Sequence, residues 1–351
     1  MSKYKYALID YSYIAYRNFY AISRGKKAGE YNEGDLIRST LQTLNKLSKT
    51  WGITCDKMIM IYDKWAPEYQ GYYTTYLLKG MYKDDRGDIE EAKGQGKPQD
   101  TYMTQEVYDR MKQDPNVTPE QLEEAFEQLY GNKVRYRAKW AMVGELSNFG
   151  VPLIGLEGWE FDNLAWLASG LLYDPDTKPS VIITKDSDLQ YALSPKMDYF
   201  RLPTGGSEPK VITYDEMYQT IPDSLKGRLS LYDYKSYLDA LGDGHNGMRK
   251  TRKDHTTPDT VIEEILDGNL SGLSDPELFK LQLSTFDISK FPRFEEAKRI
   301  VTDLFSTTGR LGSLKEFNEF KKKYGIGGQE VWMGDQFFIS FISKFNPKLY
   351  S

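Results

Sequence analysis

Four short apolar runs, each closing on an acid, constrain this chain more than any other feature. YALI (6–9) runs into Asp10, and MIMIY (58–62) into Asp63. VPLIGL (151–156) is followed after a short loop by Glu160 and Asp162, and VIIT (181–184) by Asp186 and Asp188. Apolar, β-branched runs of this length fit buried strands. Helical spacing separates them. Leu36, Ile37, Thr40, Leu41, Leu44 and Leu47 recur within 35–50, and a second helix is expected over 133–149. A third follows Asp162, which stands where an N-cap belongs before NLAWLASGLLY. MDYFRL (197–202) reads as a fifth strand, and from about 223 onward the pattern is mostly helical. Strands alternating with helices predict an α/β domain with a largely parallel sheet, followed by a helical region.

In a parallel sheet the acids after the strands share the carboxyl edge, where open α/β sheets bind their ligands. Crowded carboxylates repel and raise one another's pKa values, and a divalent cation relieves this. Oxygen ligands without His or Cys point to Mg²⁺ or Mn²⁺. Six acids exceed the needs of one Mg²⁺, so two ions are expected, set about 4 Å apart as in two-metal phosphodiester chemistry. If the fourth strand continues, Asp186 and Asp188 point to the same side. Any one of these acids alone reads as a turn former or a cap, Asp162 above all. Their coincidence after four strands favours the metal site.

The chain has 351 residues, 40% hydrophobic and 14% aromatic, enough for a large core and two lobes. Its 51 acids outnumber 46 bases, for a net charge of −5, so nucleic-acid contacts must come from local basic patches. The single cysteine, Cys55, excludes a disulfide framework and a zinc cluster, which suggests a reducing, cytoplasmic setting. No signal peptide or membrane span is expected. The sequence has no GxSxG, P-loop or GxGxxG motif, against serine hydrolases, NTPases and dinucleotide enzymes. A polar segment from about 64 to 132 carries 13 acids and 5 bases between 84 and 128, and is expected to be a solvated, mobile insertion.

Basic residues cluster in three places. Arg249, Lys250, Arg252 and Lys253 stand against Asp254 in HNGMRKTRKDH (245–255), a candidate phosphate-backbone track. Thr257 can cap the helix that Pro258 starts, and that N-terminus could take a phosphate. Lys133, Arg135, Arg137 and Lys139 spread over more than one helix face, and Arg24, Lys26 and Lys27 form a small basic loop. Both are equally readable as ordinary surface charge. Tyr11, Tyr13, Tyr16, Phe19 and Tyr20 suit base stacking, although Ile14 among them marks most of that stripe as core.

LIDYS with Asp10, IYDK with Asp63, GWEFDN with Glu160 and Asp162, TKDSDL with Asp186 and Asp188, and LDALGDGHN with Asp243 resemble, in order, the motifs of the flap endonuclease family of structure-specific 5′ nucleases. The look is closest to the phage-type branch also called ribonuclease H. The resemblance covers about residues 5–270. It implies a PIN-like core over 1–222 with an arch insertion at about 64–132, and a helical, helix-hairpin-helix-like duplex-binding region over 223–351. It implies that Asp10, Asp63, Glu160, Asp162 and Asp186 hold a first ion. Asp186, bridging, would hold a second with Asp188 and Asp243. MYKDDR resembles the family's run at the foot of the arch. Lys83 and Arg86 would then steady the scissile phosphate, Tyr82 would stack on a terminal base, and Lys79 would join the nucleic-acid contacts. Asn163 stands where the family has a third acid, and GDGHNGMR where it has a further acid and a Gly-rich hairpin.

The expectation is a two-metal 5′–3′ exonuclease or flap endonuclease, loaded with two Mg²⁺ or Mn²⁺. It would act as a monomer on DNA with a free 5′ end, a 5′ flap or an RNA–DNA hybrid, in primer or flap removal. Replication proteins such as a single-strand-binding protein are expected partners, in a phage-infected bacterial cell. The rivals are a PIN-type ribonuclease and a catalytically impaired DNA-binding relative.

Overall fold

The structure, a computed structural model, describes residues 2–66, 72–74, 103–149, 152–203, 208–243, 248–306 and 313–326. Lys79, Tyr82, Lys83 and Arg86 lie outside them, as does His245. The chain forms two compact units. The first comprises 1–60, 97–154 and 307–351, and the second 61–96 and 155–306. Among the described residues no helix is long and apolar enough to cross a membrane.

The first unit carries strands β1 (Tyr4–Asp10), β2 (Cys55–Ile61) and β3 (Leu153–Ile154), in the spatial order β3-β2-β1. The last four residues of β1 and of β2 are buried, as their apolar runs predict. Helix α1 (Tyr11–Ser23) starts directly from Asp10, and α2 (Glu33–Lys49) buries Leu36, Ile37, Leu41, Leu44 and Leu47 on one face. Asn32 and Asp35 close a capping box on α2. Helix α3 (Gln105–Met111) precedes α4 (Pro119–Glu145), a continuous 27-residue helix that packs on α2.

Helix α4 corrects one expectation. A helix is expected over 133–149, but α4 starts at Pro119 and ends at Glu145. Thr118 and Gln121 close a capping box behind Pro119, and Ala125, Leu129, Asn132, Val134, Ala138, Ala141 and Met142 form a continuous buried stripe. The acids Glu120, Glu123 and Glu124 occupy its exposed face, so a composition count mistook an amphipathic helix for a solvated segment.

The second unit contains β4 (Ser180–Thr184), β5 (Met197–Arg201) and β6 (Lys210–Ile212). Strand β4 is buried throughout and pairs in parallel with β5, Ile182 opposite Tyr199. Strand β6, too short to stand out in the sequence, pairs antiparallel with β5. The strands of the two units are mostly parallel and flanked by helices, which is the predicted α/β class. Among the described residues the helices of this unit are α5 (Phe161–Leu171), α6 (Tyr214–Tyr218), α7 (Leu231–Ala240), α8 (Pro258–Leu266), α9 (Pro276–Ser284) and α10 (Phe294–Ser306). The third expected strand is shorter than its apolar run, because β3 spans only two residues.

Candidate active-site cleft

The chain beyond β2 and the chain beyond β3 meet within the second unit. Lys64 and Glu157 form a parallel bridge, in which Gly158 N donates to Lys64 O at 2.8 Å and Lys64 N to Trp159 O at 3.2 Å. Gly155 permits this approach, since a Cβ there would lie 2.7 Å from the Tyr62 ring and 2.8 Å from its carbonyl oxygen. Trp159 anchors the turn that follows. It is fully buried, its indole N–H donates to Pro292 O at 2.9 Å, and its ring meets Phe291 edge-on.

This arrangement orients the first acids. Asp63 Oδ1 accepts from Phe161 N at 2.7 Å, and Glu160 N donates to Asn163 Oδ1 at 3.2 Å. The N-cap of α5 is therefore Glu160, while Asp162 sits in the first turn; the expected cap at Asp162 is two residues late. The helix begins early because Asp63, distant in sequence, and Asn163, in the helix's own first turn, supply its N-terminal partners. Asn163, where the resembled family has an acid, serves here as a structural amide. The Tyr72 phenol is pushed up by burial and then by the negative field of Asp63 and Glu160.

A cleft of about 100 Å³ lies in this unit. Glu160, Asp162 and Thr74 line it together with Asp188, Lys235 and Asp239. Trp166 and Tyr232, whose rings stack, close its apolar side. The Thr74 hydroxyl is buried and has no hydrogen-bond partner among the described residues.

Asp186 and Asp188 are not on a strand. Strand β4 ends at Thr184, and Asp186 caps a 3-10 turn, Ser187–Ala192, by accepting from Asp188 N at 3.0 Å. A strand's period of two, expected from the sequence, therefore does not point both carboxylates the same way. Asp188 enters the cleft, and Asp186 stays exposed outside its lining. Asp10, in the first unit, is buried and caps α1 by accepting from Tyr13 N at 2.8 Å.

Asp188 meets a cation of the chain itself. Lys235 Nζ lies 3.3 Å from Asp188 Oδ1 and bonds Asp239 Oδ1, with the Lys235 side chain 9% and that of Asp239 1% exposed. Asp243 is gripped by both arms of Arg252, Nε to Oδ2 at 2.5 Å and Nη2 to Oδ1 at 2.6 Å. Gly242, at φ +78°, makes the turn into Asp243, and a Cβ there would overlap the backbone of Arg249 and Lys250.

Arg252 thus faces inward rather than toward a phosphate track, and Lys250 pairs with Asp254 at 2.7 Å. Arg249, Lys250 and Lys253 remain exposed on a loop whose backbone Gln282 fastens, accepting from Arg249 N and donating to Arg249 O, both at 3.0 Å. Thr257 caps α8 behind Pro258 as predicted. In the first unit Lys133 bonds Gln105, and Arg135 lies over the Phe19 ring at 5.0 Å. Tyr11, Ile14 and Phe19 are core, while Tyr16 and Tyr20 are exposed.

Among the described residues, no three His, Cys, Asp or Glu side chains converge closely enough to clasp an ion. Asp10, Asp63 and Asp186 accept from backbone N–H groups, and Asp188 and Asp243 meet basic side chains. Glu160, Asp162 and the orphan Thr74 hydroxyl nevertheless present oxygens to one cleft, which fits a hydrated hard cation held by one or two carboxylates. Asp188 and Asp243, closed by Lys235 and Arg252, do not fit a second ion. Sequence reasoning missed Lys235 and Asp239. Their i,i+4 spacing was visible, but such pairs are common on exposed helix faces.

No protein-family model matches the sequence, and no curated protein matches it. Among solved structures, the chain is similar to a variant flap endonuclease of bacteriophage T5, crystallised as a pseudo-enzyme–product complex with DNA and metal ions. The identity is 16%, the TM-score 0.50, and the match covers 86% of this chain and all of the other. The phage T5 protein co-crystallised with metal ions matches at 16% identity and a TM-score of 0.47, covering 91% of this chain and 98% of that one. The first likeness shows that the chain shares the flap endonuclease fold. The second is too weak to add to it.

Proposed function

We propose that this protein is a metal-dependent 5′ nuclease that hydrolyses phosphodiesters of DNA, and of RNA in an RNA–DNA hybrid, near a free 5′ end. The observation that carries the reading is the placement of Glu160, Asp162 and Asp188 on one cleft within a fold shared with a flap endonuclease. Role and substrate follow the resemblance: primer or flap removal during replication, with a single-strand-binding protein as a candidate partner.

Glu160 and Asp162, with Asp63 beside them, would hold a Mg²⁺ or Mn²⁺ ion. Such an ion, when bound, supplies an activated water and neutralises charge on the scissile phosphate. The protein's own groups do the rest. Asp63 fixes the start of α5 by accepting from Phe161 N, and so aims Glu160 and Asp162. Trp166 and Tyr232 give the cleft an apolar wall that limits water and strengthens the field of its charges. Exposed Arg249, Lys250 and Lys253 offer positive charge to a phosphate backbone. Lys83 and Arg86 are assigned to the scissile phosphate and Tyr82 to a terminal base. Lys79 is assigned to the nucleic-acid strand.

A labelled 5′-flap substrate tests the proposal. Cleavage should appear with Mg²⁺ or Mn²⁺ and stop with a chelator, and Asp162→Asn should bind the flap without cutting it. Tight binding with no cleavage under either metal would leave a DNA-binding protein instead.

A further inference from the structure

The resemblance gives a second divalent ion to Asp188 and Asp243, yet each of these acids already holds a cation. Lys235 Nζ lies between Asp188 and Asp239, and Arg252 closes on Asp243 with two parallel hydrogen bonds. The Lys235 side chain is 9% exposed. Ser236 Oγ donates to Tyr232 O at 2.8 Å on the same helix, and the Tyr191 ring centroid lies 5.9 Å from Nζ. A divalent ion arriving at Asp188 would have to displace this ammonium into an apolar interior or share the carboxylate with it. Displacement strands a buried charge, and sharing sets like charges a few ångströms apart at low dielectric.

We propose that Lys235 is a resident counter-cation, whose ammonium takes the place of a second metal at Asp188. The chain therefore binds one divalent ion, on the Glu160–Asp162 side of the cleft. Lys235 is a positioning residue: it holds the Asp188 carboxylate against α7 and neutralises Asp239 behind it. Arg252 does the same for Asp243, which leaves no acid of the expected second set to an incoming ion except Asp186. The inference rests on the nuclease reading for its meaning, but its measurement needs no turnover.

The experiment counts Mn²⁺ bound by the full-length, metal-stripped protein, read from the electron paramagnetic resonance signal of free Mn²⁺. Wild type should bind one ion. Lys235→Met, which keeps the bulk and removes the charge, should bind a second at least about tenfold more tightly than wild type binds any second ion. Lys235→Met/Asp239→Asn should lose that gain. Two ions of similar affinity in wild type, or none, overturn the proposal. So does an unchanged count in a Lys235→Met protein whose circular dichroism matches wild type, or a gain that persists in the double variant. Should Lys235→Met not fold, the wild-type count decides alone: one ion supports the proposal, and none or two overturn it. A separate flap-cleavage assay on the same samples judges the nuclease reading, so a wild type with one ion and no cleavage would fail that reading alone.

Discussion

On one side of the cleft, backbone amides and a neighbouring amide orient the acids; on the other, an ammonium group neutralises them, as a guanidinium does for Asp243, outside the lining. Asp63 accepts from Phe161 N and Asn163 accepts from Glu160 N, and the Asp63 and Glu160 carboxylates push the Tyr72 phenol up after burial has done so. Asp188 and Asp239 meet Lys235, and Asp243 meets Arg252. The contrast teaches that a carboxylate's usefulness depends on what satisfies it. A peptide N–H orients a carboxylate without cancelling its charge, whereas a lysine or arginine cancels it.

The largest expected effect breaks the first side. Asp63→Asn retains an oxygen to accept from Phe161 N, so the fold should persist. Cleavage of a 5′ flap should fall by about 10³-fold, or about 4 kcal/mol of barrier. A variant that cuts within a few fold of wild type would show that charge on this side is not used.

The next effect breaks the second side. Asp239→Ala leaves Lys235 buried with Asp188 as its remaining partner and should cost about 3–5 kcal/mol in urea unfolding. Lys235→Met/Asp239→Leu removes both charges and should recover most of that loss. Equal destabilisation by the single and the double changes would mean that packing, not charge, matters there.

Smaller still is the backbone approach that supports the first side. Gly155→Ala forces a methyl against the Tyr62 ring and carbonyl and should cost about 1–3 kcal/mol of stability. Flap affinity should fall with it if the Lys64–Glu157 bridge governs the cleft.

The smallest effect is a titration. Lys64, and less strongly Arg293, hold the half-buried Glu157 carboxyl below the ordinary carboxylate range. Its folded value lies below its unfolded one. Its contribution to stability is therefore present above the usual carboxylate pKa and lost as pH falls through the folded value. Nuclear magnetic resonance titration should place Glu157 low in wild type and nearer normal in Lys64→Gln.

Much of the fold was legible in the sequence because buried strands are written as apolar runs. β1, β2 and β4 fall where Ala7, Met60 and Ile182 put them, and β5 where Tyr199 and Phe200 do. The site was legible only in its parts. Glu160, Asp162 and Asp188 could be nominated, but the sequence cannot show that Asp63 starts α5 from 98 residues away. Nor does VIITKDSDL show where the strand yields to a 3-10 turn, because that depends on Asp186 Oδ1 reaching the Asp188 amide. The pairing of Lys235 with Asp188 is a tertiary contact between segments with no common pattern, and the charge-poor stripe of α4 hides beneath a surplus of surface acids.

The tie between Trp159 and Pro292 has a consequence for the chain as it is being made. The cleft takes lining residues from Thr74 to Phe286, and the turn that presents Glu160 is held by a carbonyl at position 292. Synthesis runs from the N-terminus, so all the acids have left the ribosome before the segment that fixes them exists. A chain halted at residue 250 would possess Asp63, Glu160, Asp162, Asp188, Asp239 and Asp243 and no finished cleft. The finished cleft would then arrive late and all at once.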